Sequence, residues 1–266
     1  MNTHDFSVRR ASLEDYPRFA QLFPELLVDD PVPGPEIWAS TYVPSTWVAA
    51  RGGEVLGYCY CQKYAHSGYV RNVVVAPHAR QGGVGRALMQ TTANELRSDG
   101  KRSWCLNVKA DNRAALALYA RVGMQERYRA CSFRLGWGAL PALPSANAVV
   151  RALTSDRDAT FEALFDLPGG QLGSARSLGR ILLEATTPTA GAALGLAVFN
   201  PQIPAAFPFR VTELDAVTPL LTAIRQLAPT DEHIILVAED DERLVDVLAS
   251  VGATLRHELA HMAGAL

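Results

Sequence analysis

The chain has 266 residues, 48% hydrophobic and 20% charged, with 20 Gly and 16 Pro; this ordinary globular mix excludes disorder, a collagen-like repeat and a coiled coil, and suits one large domain or two small ones. The net charge of −2 hides an asymmetry, because residues 1–135 carry 17 Lys/Arg against 12 Asp/Glu and residues 136–266 carry 8 against 15. The basic first half suits an anionic ligand, but its excess is too small and dispersed for a nucleic-acid surface, which shows a clustered basic stripe.

In chain order, the apolar spacing predicts a helix over 13–27 with a proline-interrupted end, followed by a loop over 30–35. Residues 46–50 and 55–63 read as the two strands of a hairpin around Arg51-Gly52-Gly53. Residues 69–75 are β-branched and apolar, a strand ended by Pro77, and 84–96 is a helix with Val84, Leu88, Thr92 and Leu96 on one face. A strand over 104–108, a helix over 111–122 closed by Gly123, and the final strands over 124–135 complete the first half. Strands precede and follow helices, so the fold class is α/β (α+β) with a mixed sheet.

The stretch 136–148 (GWGALPALPSANA) has no charge and two prolines, as a linker would. The chain then divides into a domain over 1–136, a linker over 137–148 and a second domain over 149–266. The second half repeats the outline of the first. Val8-Arg9, Phe19, Leu22 and Phe23 recur 142 residues later as Val150-Arg151, Phe161, Leu164 and Phe165; Val108, Ala120, Val122 and Gly123 recur 129 residues later as Val237, Ala249, Val251 and Gly252. A duplicated fold follows, with loops that changed length while the elements persisted.

The most informative segment is Val73-Val74-Val75-Ala76-Pro77-His78-Ala79-Arg80-Gln81-Gly82-Gly83-Val84-Gly85-Arg86. A strand runs into a glycine-rich turn that opens a helix. Glycines let backbone N–H groups converge, the helix start adds unpaired donors and the positive end of its dipole, and Arg80 and Arg86 flank the turn. Such a turn cradles a pyrophosphate. It carries neither the dinucleotide G-x-G-x-x-G nor the Gly-Lys-Ser/Thr of a P-loop.

Arg80-x-x-Gly83-x-Gly85, preceded by Val73-x-Val75-x-Pro77, resembles the acyl-CoA signature of the GNAT superfamily of N-acetyltransferases. Asn112-x-x-Ala115-x-x-x-Tyr119-x-x-x-Gly123-Met124 is similar to that superfamily's later segment, so the resemblance covers residues 6–135. It implies two tandem GNAT-like domains, each a mixed central sheet flanked by helices, with acetyl-CoA as cosubstrate and no metal. Val73, Val74 and Val75 would offer backbone groups to the pantetheine arm, and Gln81, Gly82, Gly83, Val84, Gly85 and Arg86, with Arg80, would hold the pyrophosphate. Asn112 and Ala115 would border the pantetheine, and Tyr119 would give a proton to the departing sulfur. A phenol suits that role, since a pKa of about 10 keeps its proton at neutral pH. The implied activity is direct transfer of an acetyl group to the primary amine of a small molecule. The alternatives are acetylation of a protein or peptide amine and a non-catalytic acyl-CoA-binding protein.

One departure matters. Many members of the family carry a glutamate base on the central strand, where this chain has Arg71 followed by Asn72. The amine's proton must leave by another route: bulk water, His66, Tyr69 or an acid such as Glu36. Asp29, Asp30 and Glu36 fall after the first helix, in a loop that borders the acceptor in the family. Arg71 could instead bind an acidic acceptor.

The second half keeps the outline but loses the chemistry. With Val75 matched to Val211, the glycines at 82, 83 and 85 become Thr218, Pro219 and Leu221, Arg80 becomes Ala216, and Tyr119 becomes Leu248, while Glu213 and Asp215 would repel a pyrophosphate. His257-Glu258-Leu259-Ala260-His261 matches the H-E-x-x-H zinc motif, but the repeat places it on a strand, where it cannot gather both histidines on one metal. Cys59 and Cys61 read as buried structural thiols. No apolar run reaches the roughly 18–20 residues that cross a bilayer, and MNTHDFSVRR lacks the apolar core of a signal peptide. The expectation is a cytoplasmic protein with neither membrane nor nucleic-acid partner, its oligomeric state unknown.

Overall fold

The computed structural model describes residues 5–28, 31–228 and 232–266. In chain order it holds β1 (Ser7–Arg10), α1 (Tyr16–Leu22), the single turn α2 (Pro35–Ile37), β2 (Thr46–Arg51), β3 (Glu54–Lys63), β4 (Ser67–Val75), α3 (Val84–Ser98), β5 (Ser103–Lys109), α4 (Arg113–Arg121) and β6 (Gln125–Gly136). There follow β7 (Val149–Ala152), α5 (Asp158–Leu164), α6 (Gln171–Ser177), β8 (Ile181–Thr186), β9 (Ala193–Asn200), β10 (Ala205–Val211), α7 (Val217–Leu227), β11 (His233–Glu239), α8 (Glu242–Ser250) and β12 (Thr254–Ala265). The helical run expected over 13–27 is divided. Its middle is α1, and Pro24 opens a 3-10 turn, Phe23–Leu26, that ends at Leu27 with φ of 54°. The last segment of the first half is one long strand rather than several.

These residues form two compact units, each a mixed sheet with helices packed on it. The first holds the described residues up to Val108, Asn112–Glu126 and Met262–Leu266; the second holds Lys109–Asp111 and Arg127–His261. In the first unit the strand order is β1-β2-β3-β4-β5, antiparallel through β4 and parallel from β4 to β5. Positive φ at Gly52 (56°) and Gly53 (87°) closes the β2–β3 hairpin, the backbone that a two-residue turn with the right twist demands. In the second unit the order is β12-β6-β11-β10-β9-β8-β7, with β10 and β11 parallel.

The second unit draws on the first half of the sequence. Residues 127–136, read above as the end of the first domain, include the part of β6 that pairs with β11 from Glu239↔Ala130 to His233↔Gly136. The reason is burial: Phe133 and Leu135 enter the second core. Trp137 and Leu143, in the uncharged stretch, are buried there too, and Ala146 donates its N–H to the Asp215 carbonyl at 2.9 Å. The first unit in turn takes the last five residues, where Leu266 donates to the Arg102 carbonyl at 3.0 Å and Ala263 packs on Tyr64, Tyr69 and Cys105.

One face of the first sheet is closed by an aromatic core. Phe19 of α1 stacks on Trp38 at 4.3 Å between centroids and lies 5.1 Å from Tyr58 of β3. The other face carries α3, where the Thr92 hydroxyl meets Cys59 Sγ at 3.3 Å. Glu95 ties α3 to three strands, accepting from Arg10, Trp47 and Lys63. Burial opposes its charge, but the bonds from Lys63, Arg10 and Trp47 outweigh it and hold the carboxyl below its ordinary pKa. The contribution to stability is therefore complete above the ordinary carboxylate range and fades as pH falls toward the depressed folded-state value. Glu95→Gln is expected to cost about 1–3 kcal/mol and to flatten the acid-side loss of stability. Urea denaturation at pH 7 and pH 4 checks both, since the difference between variants narrows at the lower pH.

Candidate active site

The site grows from a strand that leaves its partner. β4 pairs with β5 only at Ser67↔Ser103, Gly68↔Trp104 and Tyr69↔Cys105. On its other side Tyr60↔Asn72 is followed by Cys61↔Val70, so Arg71 is an extra residue in a bulge. A bulge bends its strand and is common beside active sites. Val73 and Val74 therefore have no strand partner on the β5 side among the described residues, which leaves an edge for an extended ligand.

Past Val75 the chain makes a 3-10 turn, Pro77–Ala79, then turns sharply with positive φ at Gln81 (66°) and Gly83 (83°) before α3 begins. Gly83 is the N-cap and gives the helix no side-chain cap. Among the described residues no protein group accepts from the backbone N–H of Gln81, Gly82, Gly83, Val84, Gly85 or Arg86. Six consecutive donors at a positive helix end form an anion site. A Cβ on Gly85 would meet Leu118 Cδ2 at 3.1 Å and Val75 Cγ2 at 3.6 Å, so the strand end, the turn and α4 converge on that glycine.

The two flanking arginines differ. Arg80 is engaged: its Nε donates to the Val75 carbonyl at 3.2 Å and its guanidinium pairs with Glu25 at 2.6 Å. Arg86 is exposed, in the first turn of α3, with no ion-pair partner among the described residues. Val84 is buried and offers the site only its backbone. A hollow of about 260 Å³, walled in part by Arg51, His78, Arg80 and Gly82, borders the turn. This donor set fits the pyrophosphate of coenzyme A.

Asn112 caps α4, accepting from the Ala115 N–H at 3.1 Å, so its side-chain oxygen is committed to holding the helix. Tyr119, the seventh residue of α4, is 7% exposed. Burial, and to a lesser degree Cys59, pushes its pKa well above the ordinary phenol value, and Cys59 is the register partner of Val73. The hydroxyl stays protonated across the ordinary pH range and has no hydrogen-bond partner among the described residues. Burial raises the Cys59 thiol to about 12, which fits an inert structural cysteine.

Arg71 is held in a polar aromatic cluster. Its Nε donates to Gln62 Oε1 at 2.7 Å and its guanidinium lies 4.4 Å over the Tyr69 ring. The Tyr64 hydroxyl donates to the same Gln62 oxygen at 3.3 Å, and the Gln62 amide donates to Tyr60 at 3.2 Å. Tyr42 adds a ring 4.2 Å from Tyr60. Gln62, Tyr60 and Tyr42 were not singled out in the sequence, where the only trace is the alternation of Tyr58, Tyr60 and Gln62 along β3, continued by Tyr64 just past its end. Of the groups considered as a base, His66 is exposed in the turn between β3 and β4 and Glu36 is exposed on α2. His66 is five residues from Arg71, roughly 16 Å of extended chain. Tyr69 lies beneath Arg71, and Asp29 and Asp30 lie outside the described residues.

The second unit repeats the frame without the turn. Thr218, Pro219 and Leu221 lie inside α7, which starts directly after a 3-10 turn, Leu214–Ala216. Leu248 is the seventh residue of α8, as Tyr119 is of α4, and Asp241 caps α8 as Asn112 caps α4. His257 and His261 lie on β12, where four residues span roughly 13 Å, too far for one zinc ion at about 2.0–2.1 Å from each.

Comparison with known proteins finds a likeness over part of the chain. A model of the acetyltransferase (GNAT) family matches residues 9–124. The mycothiol acetyltransferase of Streptomyces avermitilis is 35% identical over 79 residues, 29% of this chain and 26% of that protein. The [ribosomal protein bS18]-alanine N-acetyltransferase of Escherichia coli is 32% identical over 76 residues, 29% of this chain and 51% of that protein. The match thus spans about a quarter of the first relative and half of the second. Among solved structures, a tandem GNAT protein from the clavulanic acid biosynthesis pathway aligns with a TM-score of 0.64 at 17% identity, covering 98% of each chain. No helix among the described residues is long and apolar enough to cross a membrane.

Proposed function

We propose that this chain, whose residues 9–124 match a model of the acetyltransferase (GNAT) family, is a member of that family and transfers the acetyl group of acetyl-CoA to the primary amine of a small molecule. The observation that carries the reading is the row of six N–H groups from Gln81 to Arg86 with no protein acceptor among the described residues, at the end of the open edge of β4.

In this reading the turn and Arg86 hold the pyrophosphate, and Val73 and Val74 align the pantetheine. Holding amine and thioester together supplies most of the acceleration. The neutral amine forms its bond to the acetyl carbon as the carbon–sulfur bond breaks. Tyr119 gives its proton to the departing sulfur, and the amine's proton passes to water, which restores the phenol. Asn112 positions α4, and through it Tyr119, rather than touching the ligand.

Arg71 would favour acceptors that carry a carboxylate, because its guanidinium is oriented by Gln62 and Tyr69 and remains charged throughout. Arg71→Ala is expected to lower kcat/KM for carboxylated amines at least 10-fold and to leave carboxylate-free amines within 2-fold, in keeping with a charge-assisted bond of about 1.5–3 kcal/mol. An equal fall for both classes would contradict that role. The experiment that tests the whole reading is release of the coenzyme A thiol from acetyl-CoA across amino acids, polyamines, aminosugars and peptide N-termini. Turnover confined to one small-amine class supports it. Turnover only with peptides would move the acceptor to a macromolecule, and binding of acetyl-CoA without turnover would leave a binding protein.

A further inference from the structure

Arg71 and Asn72 are neighbours in the chain and project from the same face of the sheet. In a regular strand consecutive side chains point to opposite faces, but the bulge interrupts the alternation. Asn72 lies opposite Tyr60, and residues paired across adjacent strands share a face. Gln62 Nε2 donates to the Tyr60 hydroxyl at 3.2 Å, and Gln62 Oε1 accepts from Arg71 Nε at 2.7 Å, so Arg71 belongs to that face too. A bulge re-aims side chains in this way beside active sites.

The two side chains differ in what occupies them. The guanidinium is oriented by Gln62 and the Tyr69 ring, at the level where Gln62 pairs with Tyr69. Asn72 is half-buried, and its carboxamide has no hydrogen-bond partner among the described residues. It is also the residue that precedes the open edge of β4. The pyrophosphate turn follows Val75, so an arm laid back along Val74 and Val73 brings its far end, the thioester, to Asn72. The place of Tyr119 agrees with this, because the Cys59 thiol opposite Val73 is close enough to contribute to the rise of the phenol's pKa.

We propose, taking the transfer reading above as premise, that the acceptor is an α-amino acid, its carboxylate held by Arg71 and its amine by Asn72. Asn72 Oδ1 accepts one N–H of the neutral amine and leaves the nitrogen lone pair free for the acetyl carbon. A carboxamide takes no proton at working pH, so Asn72 orients the nucleophile and the amine's proton still passes to water. The levels of Gln62 and Tyr60, which the guanidinium and the carboxamide share, are about 7 Å apart along β3. Two hydrogen bonds of about 2.9 Å each fill most of that span, which suits a carboxylate and an amine on one carbon and disfavours a wider separation.

The test is acetyl transfer by the full chain to α-amino acids, each beside its β-homologue, with kcat/KM expressed per neutral amine. The best α-amino acid is expected to exceed its β-homologue at least 10-fold. Asn72→Leu keeps the volume and removes the acceptor atom. It is expected to lower kcat/KM for that amino acid at least 10-fold, to bring the preference for α over β within 3-fold, and to leave the calorimetric affinity for acetyl-CoA within 2-fold, which separates a lost contact from misfolding. Arg71→Ala, at an exposed position, should collapse the same preference independently. A β-homologue that matches or exceeds its α-amino acid, transfer only to peptides, or an unchanged preference in Asn72→Leu would overturn this assignment and leave the acetyltransferase standing. Release of no thiol with any amine would overturn both.

Discussion

Replacing Tyr119 by phenylalanine lowers kcat about 100-fold, at the lower end of what a positioned proton donor supplies, and changes the KM for acetyl-CoA by less than 2-fold. The substitution removes one oxygen and keeps the ring, which is 7% exposed in its unit. Stability should hardly change, because the lost hydroxyl has no hydrogen-bond partner among the described residues and losing an unpaired polar group from a buried site carries no penalty. A lower kcat at constant KM marks an interaction made in the transition state. Burial holds the Tyr119 pKa above its ordinary value, so the phenol keeps its proton throughout the working range. Any fall in activity below pH 8 should then follow protonation of the amine, and the acid limb should keep its midpoint in Tyr119→Phe. Steady-state kinetics from pH 6 to pH 10 check both. A mutant with unchanged kcat would remove Tyr119 from the chemistry.

The largest effect on binding is expected at Gly83. Its φ of 83° is costly for a residue with a side chain, by roughly 1–2 kcal/mol, and its N–H is one of the six without a protein acceptor among the described residues. Gly83→Asp would also set a carboxylate against the pyrophosphate. Two like charges about 4 Å apart repel by about 4 kcal/mol at an effective dielectric near 20, so the KM for acetyl-CoA should rise at least 100-fold. Gly53→Asp is the matched control. Gly53 has φ of 87° in the β2–β3 hairpin and open space around its Cβ position, so that variant takes on similar strain without approaching the turn. Comparable losses of Tm with a KM change confined to Gly83→Asp would separate ligand repulsion from general destabilisation. An equal rise in both would mean that strain alone explains the effect.

What the sequence disclosed follows how locally each feature is encoded. The strand–turn–helix at 73–86 and the hairpin around Gly52-Gly53 were legible because glycine placement, alternation and helical spacing act within a dozen residues. The duplicated outline was legible for the same reason, and Tyr119 and Leu248 occupy the same place on α4 and α8. Register is different. Nothing local announces the bulge at Arg71 or the parting of β4 from β5 beyond Tyr69, since both depend on which residues of another strand lie opposite. The pairing of β6 with β11 was hidden likewise. Phe133 and Leu135 fit any apolar interior, and only the assembled sheets show which they enter. In the site, Arg80 and Glu25 lie 55 residues apart, and Gln62 takes its meaning from Arg71 across the strand pair. The side chains that orient the charged groups were therefore the part the sequence withheld.

The central claim is that a single acetyl-CoA site exists in the chain, formed by the turn from Gln81 to Arg86 and the open edge of β4. Calorimetric titration of the full chain with acetyl-CoA tests it most directly, with Gly83→Asp measured alongside. One equivalent bound by the parent and none by the variant is the predicted result. Two equivalents, or binding undiminished in Gly83→Asp, would contradict it.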